Sequence, residues 1–214
     1  MTLSADRITR PPKRKFGEPP WDIALLYPVQ GEWTEEEYLA LETKSENRMI
    51  ELVNGAIEVL PLPDTYHQRI ALYLYRHFHG YVRGNKSGEV LMAPLPVRLW
   101  ENQMREPDVA YFRTRRIKDP RKPPEGADLV MEIVCPGQEN RDRDLKDKRK
   151  AYAKARIPEY WIIDPELQAI TILTLGAKTY KIHGKYKPGD LATCKLLPGF
   201  TIDVTEVFAA GLEA

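Results

Sequence analysis

The sequence predicts an α/β (α+β) fold: a mixed central sheet flanked by helices and finished by a C-terminal β meander. Three observations predict it. Helical and strand hydrophobic periods alternate along the chain, which is the pattern of a layered sheet-and-helix domain. Leu129-Val130-Met131-Glu132-Ile133-Val134 is apolar at nearly every position, as in a strand covered on both faces. The last third carries successive strand signals at residues 170–175, 179–183 and 191–197.

Residues 1–30 read as a basic, proline-rich arm. Arg7, Arg10, Lys13, Arg14 and Lys15 are offset up to that point only by Asp6, and Pro11, Pro12, Pro19 and Pro20 discourage regular structure. Residues 31–214 read as a single domain. Thr34-x-x-Glu37 is a capping box that opens a first helix bearing Tyr38, Leu39 and Leu41. Asn54-Gly55 between Ile50-Glu51-Leu52-Val53 and residues 56–60 predicts a hairpin. Asp64 caps a second helix to about Val82, with an inner stripe of His67, Ile70, Leu74, Phe78 and Tyr81. Strands follow at residues 89–100, 108–112 and 129–134, the last two separated by a basic loop, residues 113–124. A third helix at residues 143–155 then leads into the strand Tyr160-Trp161-Ile162-Ile163.

Composition narrows the function. The net charge of +1 excludes a polybasic coat. That sum nevertheless hides segments of opposite sign: residues 32–51 hold seven acids and two bases, and residues 141–156 hold eight bases and three acids. No apolar run reaches the ~20 residues of a membrane span, and the polar N-terminus is unlike a secretory signal. Cys135 and Cys194 form no CxxC pair, which argues against a disulfide framework or a thiolate zinc site. A cytoplasmic location is the expectation.

Three residues break their local patterns. Glu132 places a carboxylate inside an apolar strand, where it has to be paired, protonated or metal-bound. Asp108 follows Pro107 at a strand start; it reads either as a turn residue or as a second acid beside the first. Lys148 lies in the helical stripe of Leu145, Tyr152 and Ala155. Its ammonium either snorkels outward or points into a site containing acids. Two carboxylates ~4 Å apart repel by about 4 kcal/mol at an effective dielectric of 20, so converging acids invite a cation. Hard cations such as Mg²⁺ take carboxylate oxygens and keep room for a phosphate. His67, on an apolar face, reads as a core histidine. His77 and His79 point differently and form no metal pair. Asp142, Asp144 and Asp147 read as cap and dipole partners of the third helix.

With these residues in view, the chain resembles the Uma-type restriction endonucleases of the PD-(D/E)XK nuclease superfamily. The resemblance runs from Thr34 to about Phe208. It is carried by Ile50-Glu51-Leu52-Val53-Asn54-Gly55, Glu106-Pro107-Asp108-Val109-Ala110, the strand around Glu132, Asp144-x-x-x-Lys148-x-x-x-Tyr152 and Glu159-Tyr160-Trp161-Ile162-Ile163-Asp164-Pro165. It implies a restriction-endonuclease-like fold and a Mg²⁺-dependent DNA endonuclease, with Mn²⁺ able to substitute. Asp108 and Glu132 are the implied metal ligands, Glu51 is an auxiliary acid, and a homodimer is the implied assembly. The superfamily lysine stands two residues after the second acid, where this chain has Val134; Lys148 is the candidate replacement. Cys135 replaces a usual serine, and Arg156 a usual glycine. Arg113, Arg115, Arg116 and Arg149 are candidate phosphate contacts. The alternative is a catalytically inactive nuclease-fold module binding nucleic acid or a protein partner.

Overall fold

A computed structural model describes residues 29–42 and 49–212, which fall into two compact units: the described residues up to 60 with 101–104, and residues 61–100 with 105–212. Residues 1–28 of the expected arm lie outside the described residues.

In the first unit, helix α1 (Glu35–Glu42) opens on the expected capping box. The Glu37 amide donates to Thr34 Oγ1 at 3.2 Å, and the Thr34 amide donates to the Glu37 carboxylate at 3.0 Å. Strands β1 (Ile50–Val53) and β2 (Ala56–Val59) form the expected hairpin. Asn54 and Gly55 both take positive φ, +49° and +75°, as a primed turn requires. A Cβ on Gly55 would stand 2.6 Å from the Gly31 carbonyl oxygen, so only glycine fits. Leu52 and Val53 also pair with Met104 and Gln103, a strand too short for a sequence pattern to reveal. Trp33, Tyr38, Ile50, Leu52, Ile57 and Met104 make this unit's core.

The second unit begins with α2 (Thr65–Gly84), where Asp64 Oδ1 accepts from the His67 amide at 2.8 Å. Then come β3 (Gly88–Met92), β4 (Val97–Trp100), β6 (Val109–Arg113) and β7 (Leu129–Ile133); β5 (Gln103–Arg105), whose first two residues belong to the first unit, stands between β4 and β6 in the chain. A helical segment follows in three pieces: α3 (Gln138–Asp142), a π-helical stretch (Arg143–Lys148) and α4 (Arg149–Lys154). The chain closes through β8 (Glu159–Asp164), β9 (Ala169–Leu175), β10 (Tyr180–Tyr186), β11 (Leu191–Thr193), β12 (Thr201–Asp203) and α5 (Val204–Leu212).

Six of these strands form one sheet in the order β10-β9-β8-β7-β6-β3. Only β7 and β8 run parallel; the other neighbours are antiparallel, so the sheet is mixed. A parallel neighbour needs a long crossover, and the helical segment from α3 to α4 supplies it. Residue parity then separates two cores. Val109, Tyr111, Leu129, Met131, Ile133 and Trp161 pack with α2 and α5, whereas Ala110, Phe112, Val130, Val134, Tyr160 and Ile162 pack with α4.

Two differences from the sequence reading stand out. The third helix starts at Gln138, five residues earlier than expected, and is interrupted by the π stretch. The chain also ends in a helix rather than in the meander. Asp203 Oδ1 caps that helix, accepting from the Thr205 amide at 2.7 Å, and Val204, Val207, Phe208 and Gly211 bury its inner face.

The buried carboxylate of Glu159 fastens the chain between β11 and β12 to the sheet. It accepts from Trp161 Nε1 at 2.7 Å and from the amides of Lys195 and Leu196 at 3.3 and 2.6 Å. Glu159→Ala therefore leaves the buried Trp161 indole N–H unpaired, at ~1–3 kcal/mol, and frees the part-buried amides of Lys195 and Leu196. Urea denaturation is expected to show a loss of ~1–3 kcal/mol, whereas Lys178→Ala, on the surface, is expected to stay within ~0.5 kcal/mol.

Candidate active site

Parity puts Glu132 on the α4 face of β7, in the row of Val130 and Val134. Its carboxylate is 3% exposed and is met there by two side chains from the crossover. Lys148 Nζ donates to Oε2 at 2.7 Å, and the Tyr152 hydroxyl donates to Oε1 through a short hydrogen bond. Asp144 Oδ1 stands 3.6 Å from the same ammonium. Lys148 is itself 3% exposed, so its ammonium points inward and does not snorkel. The π stretch ends at Lys148, and both Asp144 and Lys148 are buried along it. Such i→i+5 turns recur at functional sites because they re-aim side chains that a regular helix would turn away.

Asp108 immediately precedes β6. The β6–β7 register pairs Val109 with Met131, and one step further it sets Asp108 opposite Glu132. Asp108 Oδ2 accepts from the Ile133 amide at 2.7 Å and lies 3.3 Å from His67 Nε2 on α2. Its Oδ1 accepts no hydrogen bond from any described residue. His67 is thus more than a core histidine: it holds the first acid. Burial opposes its imidazolium, but the hydrogen bond to Asp108 and the charge of that carboxylate, with Cys135 nearby, push its pKa up to about 10. The Tyr160 hydroxyl registers the acids together: burial first, then Glu132, Asp144 and Asp108, raise its pKa well above the ordinary tyrosine value. A cavity of about 290 Å³ opens beside His67, lined among others by Tyr66, Val134, Cys135, Asn140 and Arg141.

The other expected residues lie elsewhere. Glu51 sits on β1 in the first unit, fully buried and across from Glu58. Arg113 ends β6, five residues from Asp108 and thus ~16 Å along the strand at 3.3 Å per residue. The loop carrying Arg115 and Arg116 therefore leaves the sheet at the end opposite the acids. Arg149 donates to the Tyr180 carbonyl at 3.3 Å. Among the three helix acids, Asp142 pairs with Lys146 at 2.9 Å and Asp147 lies 4.0 Å from Lys150, whereas Asp144 is buried rather than a cap. Asp144, Tyr152 and His67 are the site residues that sequence reasoning missed. Asp144 and Tyr152 stand four residues either side of Lys148, and that spacing is the available signal.

The donor set suits a hard divalent cation: two carboxylates from paired strand ends, one with an unengaged oxygen. Among the described residues no three His, Cys, Asp or Glu side chains gather into a complete cage.

Breaking a buried pair on one side strands a charge, at ~3–5 kcal/mol, whereas removing both charges is often neutral. Lys148→Met and Glu132→Leu are each expected to lower unfolding free energy by ~3 kcal/mol or more. The double variant is expected to be more stable than either single variant, as read by a double-mutant cycle in urea.

Among curated proteins, none matches the chain. Among solved structures, it resembles one described as "a putative nuclease belonging to DUF820" from Anabaena variabilis ATCC 29413. The TM-score is 0.67 at 18% identity, over 83% of this chain and 98% of that one, which is a likeness of fold. Residues 35–205, most of the chain, match the Uma2 family, described as "Putative restriction endonuclease". With that match spanning both acids and the lysine, the chain belongs to the Uma2 family.

Proposed function

We propose that this protein is a Mg²⁺-dependent DNA endonuclease whose catalytic residues are Asp108, Glu132 and Lys148, with Mn²⁺ able to replace Mg²⁺. The observation that carries the reading is the 2.7 Å contact of Lys148 Nζ with Glu132 Oε2, in a buried site where the register sets Asp108 opposite Glu132. It supplies from the crossover the lysine that Val134 cannot provide.

Asp108 and Glu132 would hold the cation, which when bound supplies Lewis-acid neutralisation of the phosphate and a water of lowered pKa. Lys148 keeps an ammonium next to that position, where it orients the attacking water or donates to the oxygen on which charge builds. Tyr152 fixes the Glu132 carboxylate from its second oxygen, and His67 does the same for Asp108. Both are positioning residues. Glu51, in the first unit, is the auxiliary acid that the family resemblance implies; the proposal stands on the second unit alone. Arg113, Arg115 and Arg116 would meet DNA only away from the scissile bond. A twofold dimer and a cytoplasmic location complete this reading. No helix among the described residues is long and apolar enough to cross a membrane.

Plasmid cleavage in Mg²⁺ or Mn²⁺ is expected from the wild type and is expected to fall at least ~100-fold in Asp108→Asn, Glu132→Gln and Lys148→Met, the scale of lost acid–base or electrostatic assistance. Equal cleavage by wild type and variants would sink the assignment. Calorimetry that finds duplex binding without any uptake of Mg²⁺ or Mn²⁺ would instead favour a non-catalytic module.

A further inference from the structure

The solvent face of α2 carries three arginines in line. Arg69, Arg76 and Arg83 recur every seven residues, and a heptad step drifts only ~20° around a straight helix. The buried residues His67, Ile70, Ala71, Leu74, Phe78 and Val82 occupy the opposite side, so the arginines sit at the centre of the outward face. The 20 residues of α2 include no Asp or Glu, so nothing on the helix offsets this charge. Arg76 and Arg83 are exposed, and among the described residues neither side chain makes an ion pair or hydrogen bond. Arg69 is half-buried and touches the Gly211 carbonyl through Nη1 at 3.5 Å. An ordinary solvated helix interleaves acids with its bases at i,i+4, which relieves the repulsion; this one leaves the repulsion in place.

We infer that this stripe is a docking surface for the phosphodiester backbone of duplex DNA flanking the cleavage site. The choice of polyanion rests on the nuclease reading, and the geometry supports it. Seven residues at 1.5 Å each separate neighbouring arginines by ~10.5 Å. The B-DNA major groove is ~12 Å wide, so two flexible arginines can reach phosphates on its facing rims. The helix enters at the active site, since His67 in its first turn touches Asp108. From there the stripe runs to Arg83, about 24 Å along the axis. It lies on the outer side of α2, which covers the sheet face opposite Glu132 and Lys148, so it holds duplex that flanks the cleavage site rather than the scissile phosphate itself.

The test is metal-free binding of a 30-base-pair duplex between 50 and 200 mM salt. Arg76→Gln/Arg83→Gln is expected to weaken binding tenfold or more and to lower the log–log salt slope by about 2, at ~0.9 per lost phosphate contact. Arg76→Lys/Arg83→Lys is expected to keep most of both, because a phosphate contact of this kind needs charge more than fork geometry. Both variants are expected to melt as the wild type does, since neither arginine has a partner among the described residues. An unchanged slope in the glutamine variant would overturn the proposal, as would absence of salt-dependent binding by the wild type. Displacement by poly-glutamate as effective as by duplex would assign the stripe to acidic polypeptides and overturn it too. Plasmid cleavage by the wild type in Mg²⁺, measured beside metal-free binding, separates the two readings: salt-dependent binding that needs Arg76 and Arg83 without any cleavage would sink the nuclease reading alone, and cleavage with an unchanged slope in the glutamine variant would sink this one alone.

Discussion

A carboxylate inside a strand that is covered on both faces has to be neutralised where it stands. Glu132 is neutralised by a lysine reaching in from the crossover that follows its own strand. Much of the second unit is arranged around that requirement. The parallel β7–β8 pair demands a long connection, the connection is helical, and its buried side delivers Lys148 and Tyr152 to the two oxygens of one carboxylate. Arg141 anchors the start of the same connection to the end of β8 through a two-point contact with Asp164, at 3.1 and 2.6 Å. The planar fork-to-carboxylate geometry fixes orientation as well as distance. The crossover is thus pinned by ion pairs near its start and in its interior, both largely shielded from solvent.

How far the sequence revealed this differs from residue to residue. Glu132 announced itself as an acid in an apolar run, and Lys148 as a base in an apolar stripe, because burial makes charge conspicuous. The hairpin at Asn54-Gly55, the Asp64 cap and the strand around Met131 were legible for the same local reasons. Asp144 was not, because an acid early in a basic helix is what a favourable dipole interaction predicts as well. The π stretch was invisible, since nothing in residue type distinguishes one extra residue in a turn. His67 looked like core from its helical face, and only the fold reveals that Asp108 lies beneath it. Linear order also misled about charge: the basic loop after β6 lies close to Asp108 in sequence, yet a strand's length separates them.

At two positions where the resemblance implies another residue, Val134 and Arg156, the same geometry applies. Val134 continues the inner row of β7 and packs in the core beside Tyr152 and Tyr160, a place a lysine at that position could not share. Arg156 adopts a left-handed conformation, φ +62°, just beyond α4, which is why glycine suits this position. Its guanidinium donates to the Ala177 carbonyl at 2.5 Å, which offsets some of the backbone cost.

The lysine's move from strand to helix also changes which motions the site can tolerate. A strand in mid-sheet opens only with the whole domain, whereas a helix end can fray alone, at a fraction of the global free energy. Here the ammonium stands at the junction of a π stretch and an α-helix six residues long, the least regular backbone in the crossover. Local opening of that junction would withdraw Lys148 and Tyr152 together and leave the sheet with both strand-end acids in place. Amide exchange across residues 143–154 is therefore a direct reading of how often the centre is assembled.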